Sequence, residues 1–252
     1  MTLKFAEKSH RYTMDGKAVR GVTTILGAGI PKPAIAPWAA KSVAEWVADN
    51  ETQIASMRQS MGRESLVSAL KGVPWDKRDE AAIRGTDVHA LAEKLIHGEK
   101  VEVPSHLVKH VEGLASLLDD FGIQPLLTEV SVGNRKHWYA GRLDTISKIK
   151  SENWLLDFKT SKGVYGETGL QCAAYAKAEF YVEDGKWDDE KPLPHIARIG
   201  VIHITEDGST LHELGNIEEN FKIFTHVHFV ASKTDYIKEL VSAPLTPEEI
   251  SA

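Results

Sequence analysis

The residues whose types and spacing carry the most chemistry are two acids and a lysine. Gly141-Arg142-Leu143-Asp144 is followed, after twelve intervening residues, by Asp157-Phe158-Lys159. The stretch between them reads as strand, turn, strand, so both segments belong to one hairpin. Positions i and i+2 of a strand point to the same face. Asp157 and Lys159 therefore project together, beside Asp144 from the neighbouring strand. Two carboxylates so placed repel each other unless a cation lies between them. A hard site of one or two carboxylates, waters and a substrate phosphate is what Mg²⁺ prefers, and a lysine ammonium steadies a phosphate as a point charge. The alternative is a surface ladder in which Arg142 and Lys159 merely neutralise the acids.

The elements that must position these groups follow from periodicity. Trp154, Leu156 and Phe158 alternate onto an apolar face, leaving Leu155, Asp157 and Lys159 on the other. Strands are expected over 126–132, 138–149 and 153–160, then an alanine-rich helix over 167–182 and a further strand over 196–204. A helix over 217–240 carries Phe221, Phe224 and Val227 on its buried side. Upstream, 10–14 and 17–20 flank Asp15-Gly16, a two-residue hairpin turn. Helices are expected over 35–48, 51–70, 76–97 and 105–121, with Pro74 separating the second from the third and Gly122 ending the last. Thr246-Pro247-Glu248-Glu249 reads as the start of a short helix. The simplest organisation is one domain: a mainly helical part over 1–125, an α/β core over 126–205, and a C-terminal helix and tail over 206–252.

Two further groups share helix faces. In Arg84-Gly85-Thr86-Asp87-Val88-His89, the apolar stripe of Val88, Leu91, Leu95 and Ile96 leaves His89 and Glu93 four apart on another side. A lone helical histidine is more often a packed residue than a ligand. Gln171 and Tyr175 are also four apart; taken alone, they are rim groups.

Composition bounds the partners. The chain has 252 residues, 42% hydrophobic and 26% charged, which is ordinary for a globular protein with a sizeable core. A formal net charge of -6 argues against a generally basic nucleic-acid binder but leaves room for a local basic groove. Arg135, Lys136, Arg142, Lys148, Lys159 and Lys162 cluster around the hairpin. Trp138, Tyr139 and Tyr165 are candidates to stack on bases at a frayed end, although packing within the sheet suits Trp138 and Tyr139 at least as well. Cys172 is the single cysteine, so one chain forms neither a disulfide nor a four-cysteine zinc or iron–sulfur site. The start lacks the apolar core of a signal peptide, and no apolar run reaches the ~20 residues of a membrane span. A soluble, cytoplasmic protein is expected.

Taken in order, Gly85-Thr86 with His89, Gly141-Arg142-Leu143-Asp144, Asp157-Phe158-Lys159 and Gln171-Cys172-Ala173-Ala174-Tyr175 resemble the RecB-like branch of the PD-(D/E)XK nuclease superfamily. That branch includes small phage exonucleases and CRISPR-associated relatives. His10 and Tyr12 with Gly21-Val22-Thr23 are similar to phage members. The motifs span about 84–175. The resemblance implies a restriction-endonuclease-like α/β core, a mixed central sheet flanked by helices. Asp144 and Asp157 would be the acidic metal ligands, His89 a nitrogen ligand, the Phe158 backbone carbonyl a further ligand, and Lys159 the catalytic lysine. Gln171 and Tyr175 would lie beside the active site and help bind DNA; Glu129 matches an additional acid of some relatives less securely. Arg84, Arg142, Lys162 and Tyr165 are candidates for DNA contacts. Leu143 replaces the proline of the first motif, and the cysteines of iron–sulfur members are absent.

The implied activity is a DNA exonuclease using one or two Mg²⁺ or Mn²⁺ ions and leaving 5′-phosphate and 3′-hydroxyl ends, in phage or bacterial replication, recombination or repair. No Gly-x-x-x-x-Gly-Lys-Ser/Thr motif occurs, so any helicase or recombination protein would be a separate partner. The competing readings are a structure-specific or nicking endonuclease on the same fold, and a non-catalytic nucleic-acid-binding module.

Overall fold

The computed structural model describes residues 2–6 and 9–246, excluding the side chains at 80, 81 and 84. The N-terminal hairpin forms as expected: β2 (Arg11–Met14) and β3 (Lys17–Gly21) turn at Asp15 and Gly16, both at positive φ. An additional strand, β1 (Leu3–Ala6), pairs antiparallel with β2. Helices α1 (Val22–Gly29) and α2 (Ile35–Asp49) follow.

The next helix, α3 (Glu51–Ile96), runs through Pro74 and breaks its helical geometry at Gly62 instead, where φ is 75°. The expected interruption at Pro74 is therefore displaced. A proline removes one helical hydrogen bond, and the helix absorbs that loss with Val73 and Pro74 buried. Gly62 adopts a backbone geometry that only glycine tolerates freely. A short 3₁₀ turn (Ser105–Leu107) leads into α4 (Val108–Phe121), closed by Gly122 in the left-handed conformation.

The α/β half is built on β4 (Gln124–Asn134), β5 (Tyr139–Ile149) and β6 (Glu152–Lys159). Then come α5 (Glu167–Ala176), β7 (Phe180–Val182), β8 (Lys191–Pro192), β9 (Arg198–Thr205), β10 (Gly208–Glu213), α6 (Ile217–Ser232) and α7 (Thr234–Lys238). The alanine-rich helix is shorter than its composition suggests. Phe180 pairs with Gly133 on β4 and lays its ring where a side chain on Gly133 would stand, so tertiary pairing overrides local helix propensity. The expected helix start at 246–249 lies, from Pro247 onward, outside the described residues.

The sheet is mixed. β5 pairs antiparallel with β4 along one edge. Its other edge is shared by two strands: β3 pairs in parallel at Tyr139 and Ala140, and β6 pairs antiparallel from Thr145 to Ile149. Residues 141–144 thus lie between two partners. β6 leaves β5 after Leu156 and continues alongside β9 in parallel register, Asp157 opposite Val201 and Lys159 opposite His203.

Helices cover both faces. On one, Leu143, Ile146 and Leu155 pack with α1, α5 and α6, including Phe224. On the other, Leu156 and Phe158 pack with α3 and α4 through Val88, Ala92 and Leu114. The alternation expected for β6 is therefore present, but the face carrying Asp157 is not solvent: Asp157 is only 2% exposed. Among the described residues no helix is long and apolar enough to cross a membrane.

Candidate active site

The site lies in the fork where β6 parts from β5. Two strands that separate leave backbone N–H groups without ladder partners, and a buried unpaired group is costly. Here the Asp144 carboxylate fills the gap: its Oδ2 accepts the Phe158 backbone N–H at 2.7 Å. The backbone around the fork is irregular on both flanking strands. Leu143 and Ile146, three apart, enter the same apolar cluster, as do Val130 and Leu127 on β4. Between the latter pair, Glu129 sits at φ 50°, and the ladder passes from Val130–Leu143 to Thr128–Thr145 without pairing Glu129 to Asp144. A non-glycine residue held in the left-handed region is strained, and such strain concentrates at functional sites.

Asp157 reaches the same opening from β6. Its Oδ1 accepts the Gln171 amide at 2.7 Å from α5. Its Oδ2 lies in ion-pair contact with the Lys159 ammonium. α3 supplies the third wall. His89 places Nδ1 3.8 Å from Asp144 Oδ2, and its ring meets the Phe158 ring edge-on at 6.1 Å. One turn earlier Gly85 faces Thr160, whose Oγ1 would lie 3.3 Å from an added Cβ. The two acids, His89 and Lys159, expected from the sequence to converge, are brought together by three elements.

The electrostatics are unbalanced towards negative charge. Burial, and then the Asp157 charge, push the Asp144 carboxyl well above the usual carboxylate range. Burial lowers His89, helped by the nearby Lys159 charge, so its imidazole is neutral and keeps a lone pair. Burial alone would also lower Lys159, but the Asp157 and Asp144 charges outweigh it and hold the ammonium protonated.

These residues fit a hard divalent cation in donor type: two carboxylates repelling each other, a neutral imidazole beside one of them, and Lys159 as the local cation. Each acid already takes a protein hydrogen bond, and among the described residues no three His, Cys, Asp or Glu side chains stand as a ready-made metal cage. Phe158, expected to offer its backbone carbonyl to the cation, gives its N–H to Asp144.

The remaining expected residues divide. Gln171 touches Asp157 and so orients an acid. Tyr175 is buried at 3% exposure, its ring filling the space over Gly141, where any Cβ would overlap it. It is thus part of the core beneath the site rather than its rim. Arg142 is held by two acids: Nε donates to Glu129 at 2.6 Å, and Nη1 reaches both Asp184 oxygens at 2.8 and 2.7 Å. Glu129 is accordingly tied to Arg142, although its charge still acts on His89 and Asp144. Tyr139 is fully buried, donating its hydroxyl to the Ala174 carbonyl, and Trp138 donates its indole N–H to the Ala18 carbonyl. Tyr139 therefore belongs to the core, whereas Trp138 sits in the turn before β5, 36% exposed. Lys162 and Tyr165 are exposed on the loop beyond β6. The Arg84 side chain lies outside the described residues.

Sequence reasoning missed Asp184, which shares Arg142 with Glu129, because nothing local marks it. Tyr12, named only within the N-terminal pattern shared with phage members, was given no role, although burial pushes its phenol up to about 12 within the field of Arg142, Glu129 and Asp184. The Tyr12 ring lies 3.1 Å from where a Gly21 Cβ would be, so the glycine after the hairpin was its available signal.

No family model matches this chain, and no curated protein matches it. Among solved structures the chain is similar to one described as "Crystal structure of SSO0001", at 17% identity over 56% of this chain, with a TM-score of 0.27. The match spans 64% of that chain's length. A likeness this low leaves the reading of the site to its own geometry.

Proposed function

We propose that this protein is a metal-dependent DNA exonuclease of the RecB-like PD-(D/E)XK type, with a restriction-endonuclease-like core. The observation that carries the reading is the convergence of Asp144 and Asp157, from parting strands, with His89 and Lys159 in one opening. A purely structural fork would be closed more cheaply by a neutral acceptor such as Asn or Ser opposite the Phe158 N–H, since buried charge costs several kcal/mol per ion before compensation.

In this reading Asp144, Asp157 and the neutral His89 hold one divalent cation, Mg²⁺ or Mn²⁺. Bound there, it would lower the pKa of a water and offset charge on the phosphate. The chain's own residues do the rest. Gln171 holds Asp157 in one rotamer, and Phe158 N–H does the same for Asp144. Lys159 offsets the charge that builds on the phosphoryl oxygens as water adds to phosphorus. The bond from phosphorus to the 3′ oxygen breaks, that oxygen takes a proton, and the products carry 5′-phosphate and 3′-hydroxyl ends.

The test uses end-labelled linear and closed circular DNA with Mg²⁺, Mn²⁺ or chelator. The exonuclease reading expects loss of linear DNA only, with metal present, and no cleavage by purified Lys159→Ala or Asp157→Ala protein. Cut circles would move the assignment to an endonuclease; no cleavage of any form would remove the nuclease reading.

A further inference from the structure

Two adjoining cavities lead outward from Lys159 and Gln171, the two side chains that contact Asp157. The first, about 300 Å³, is lined by Lys159 and Gln171 at its inner end and by Lys32 and Tyr165 at its outer end. The second, about 430 Å³, shares Lys32, Tyr165 and Glu167 and continues to Ile35 and Trp38 at the start of α2. Tyr165 is 60% exposed and Trp38 39%. Neither aromatic serves the core: α2 fully buries only Ser42, and Tyr165 stands on the loop between β6 and α5.

We propose that single-stranded rather than duplex DNA occupies this groove, with unpaired bases stacked on Tyr165 and Trp38 as the strand leads to Lys159. The proposal rests on the nuclease reading and adds to it the form of the substrate. Aromatic faces reward only bases whose own faces are free; in a duplex those faces are stacked inside, and phosphates would meet the groove walls. The walls are close and two-sided, one from Pro31 to Trp38 and the other from the 161–167 loop. Pro31 and Pro33 stiffen the first wall by fixing φ. The charge across the groove is exchangeable. Lys32 Nζ reaches Glu167 Oε1 at 2.9 Å, with both side chains a third or more exposed. Such a bridge is weak and can be traded for a phosphate, while Lys162 adds an exposed cation on the same loop.

The experiment measures affinity for fluorescently labelled short oligothymidylate and for a blunt duplex in chelator, then cleavage of both with Mn²⁺. Wild type, Tyr165→Ala, Trp38→Ala, Tyr165→Phe and Trp38→Phe are compared. Each alanine variant is expected to bind the single strand about 5- to 100-fold more weakly, and each phenylalanine variant to retain most of the affinity. Wild-type cleavage should favour single strands and frayed ends. Unchanged single-strand affinity in both alanine variants, with cleavage intact, would overturn the stacking track while leaving the nuclease reading standing. Duplex affinity that falls as much as single-strand affinity in those variants would overturn the strand preference. Absence of binding and cleavage in the wild type would remove both.

Discussion

Asp144 of β5 accepts the Phe158 backbone N–H of β6 at 2.7 Å, at the point where the two strands cease to pair. One carboxylate thereby closes the sheet's fork and faces a second carboxylate, Asp157. Structure and chemistry compete for this side chain, and the competition can be measured.

Asp144→Asn should raise the stability of the metal-free protein while abolishing cleavage. The asparagine oxygen still accepts from Phe158, but the repulsion with Asp157 is gone. A carboxyl whose pKa is raised on folding supports the folded state only while protonated. Its contribution is intact below the unfolded value, about 3.9, and is lost as pH rises through the folded value. Near neutral pH the variant should gain on the order of 1 kcal/mol, or roughly 2–4 °C in midpoint. The gap should close below about pH 4. Thermal melts across pH in chelator check this; a variant less stable than wild type at pH 7 would contradict it.

Gln171→Ala should act through metal, since the amide touches Asp157 and not the groove's outer end. Loss of such an orienting partner typically costs about 10–100-fold in metal affinity or activity. The Mn²⁺ concentration for half-maximal cleavage should rise by that order with little change in KM for DNA. A raised KM at unchanged metal dependence would return Gln171 to a DNA-contact role.

Arg142 and Lys162 should separate in salt titrations. Arg142 is occupied by Glu129 and Asp184, so Arg142→Met should leave the salt slope of DNA binding unchanged and lower stability by about 1–3 kcal/mol. Lys162→Ala should reduce the slope by about 1 with stability intact. The opposite assignment of slopes would show that Arg142 exchanges its carboxylates for phosphate.

Gly141→Ala should destabilise by about 1–3 kcal/mol through overpacking against Tyr175. Tyr175→Leu in the same chain should recover part of the loss. Urea unfolding of the four-member cycle measures the coupling; additive effects would mean that the ring and the glycine do not meet.

The residues of the site were legible because strand alternation and helix spacing are local rules. Asp157 with Lys159, and Leu143 opposite Asp144, follow from a period of two. Their setting was not legible. That β3 and β6 share one edge of β5 is a long-range fact, and so is the burial of Asp157 beneath α5 rather than in water. β1, β7 and β8 escaped because short strands are chosen by partners, as Phe180 is by Gly133; β10, six residues long, was missed although it pairs with the neighbouring β9. Pro74 misled for the converse reason: a strong local breaker was outvoted within α3. Arg142 looked like a phosphate ligand because its two carboxylates are distant in sequence, 13 and 42 residues away.

The central claim is that Asp144, Asp157 and His89 form one cation site. Anomalous diffraction from crystals grown with Mn²⁺ tests it most directly. The account predicts a peak within bonding distance of both carboxylates and the imidazole, lost in Asp157→Ala crystals. Well-ordered crystals with no peak in the fork, and Lys159 still against Asp157 in saturating Mn²⁺, would contradict it.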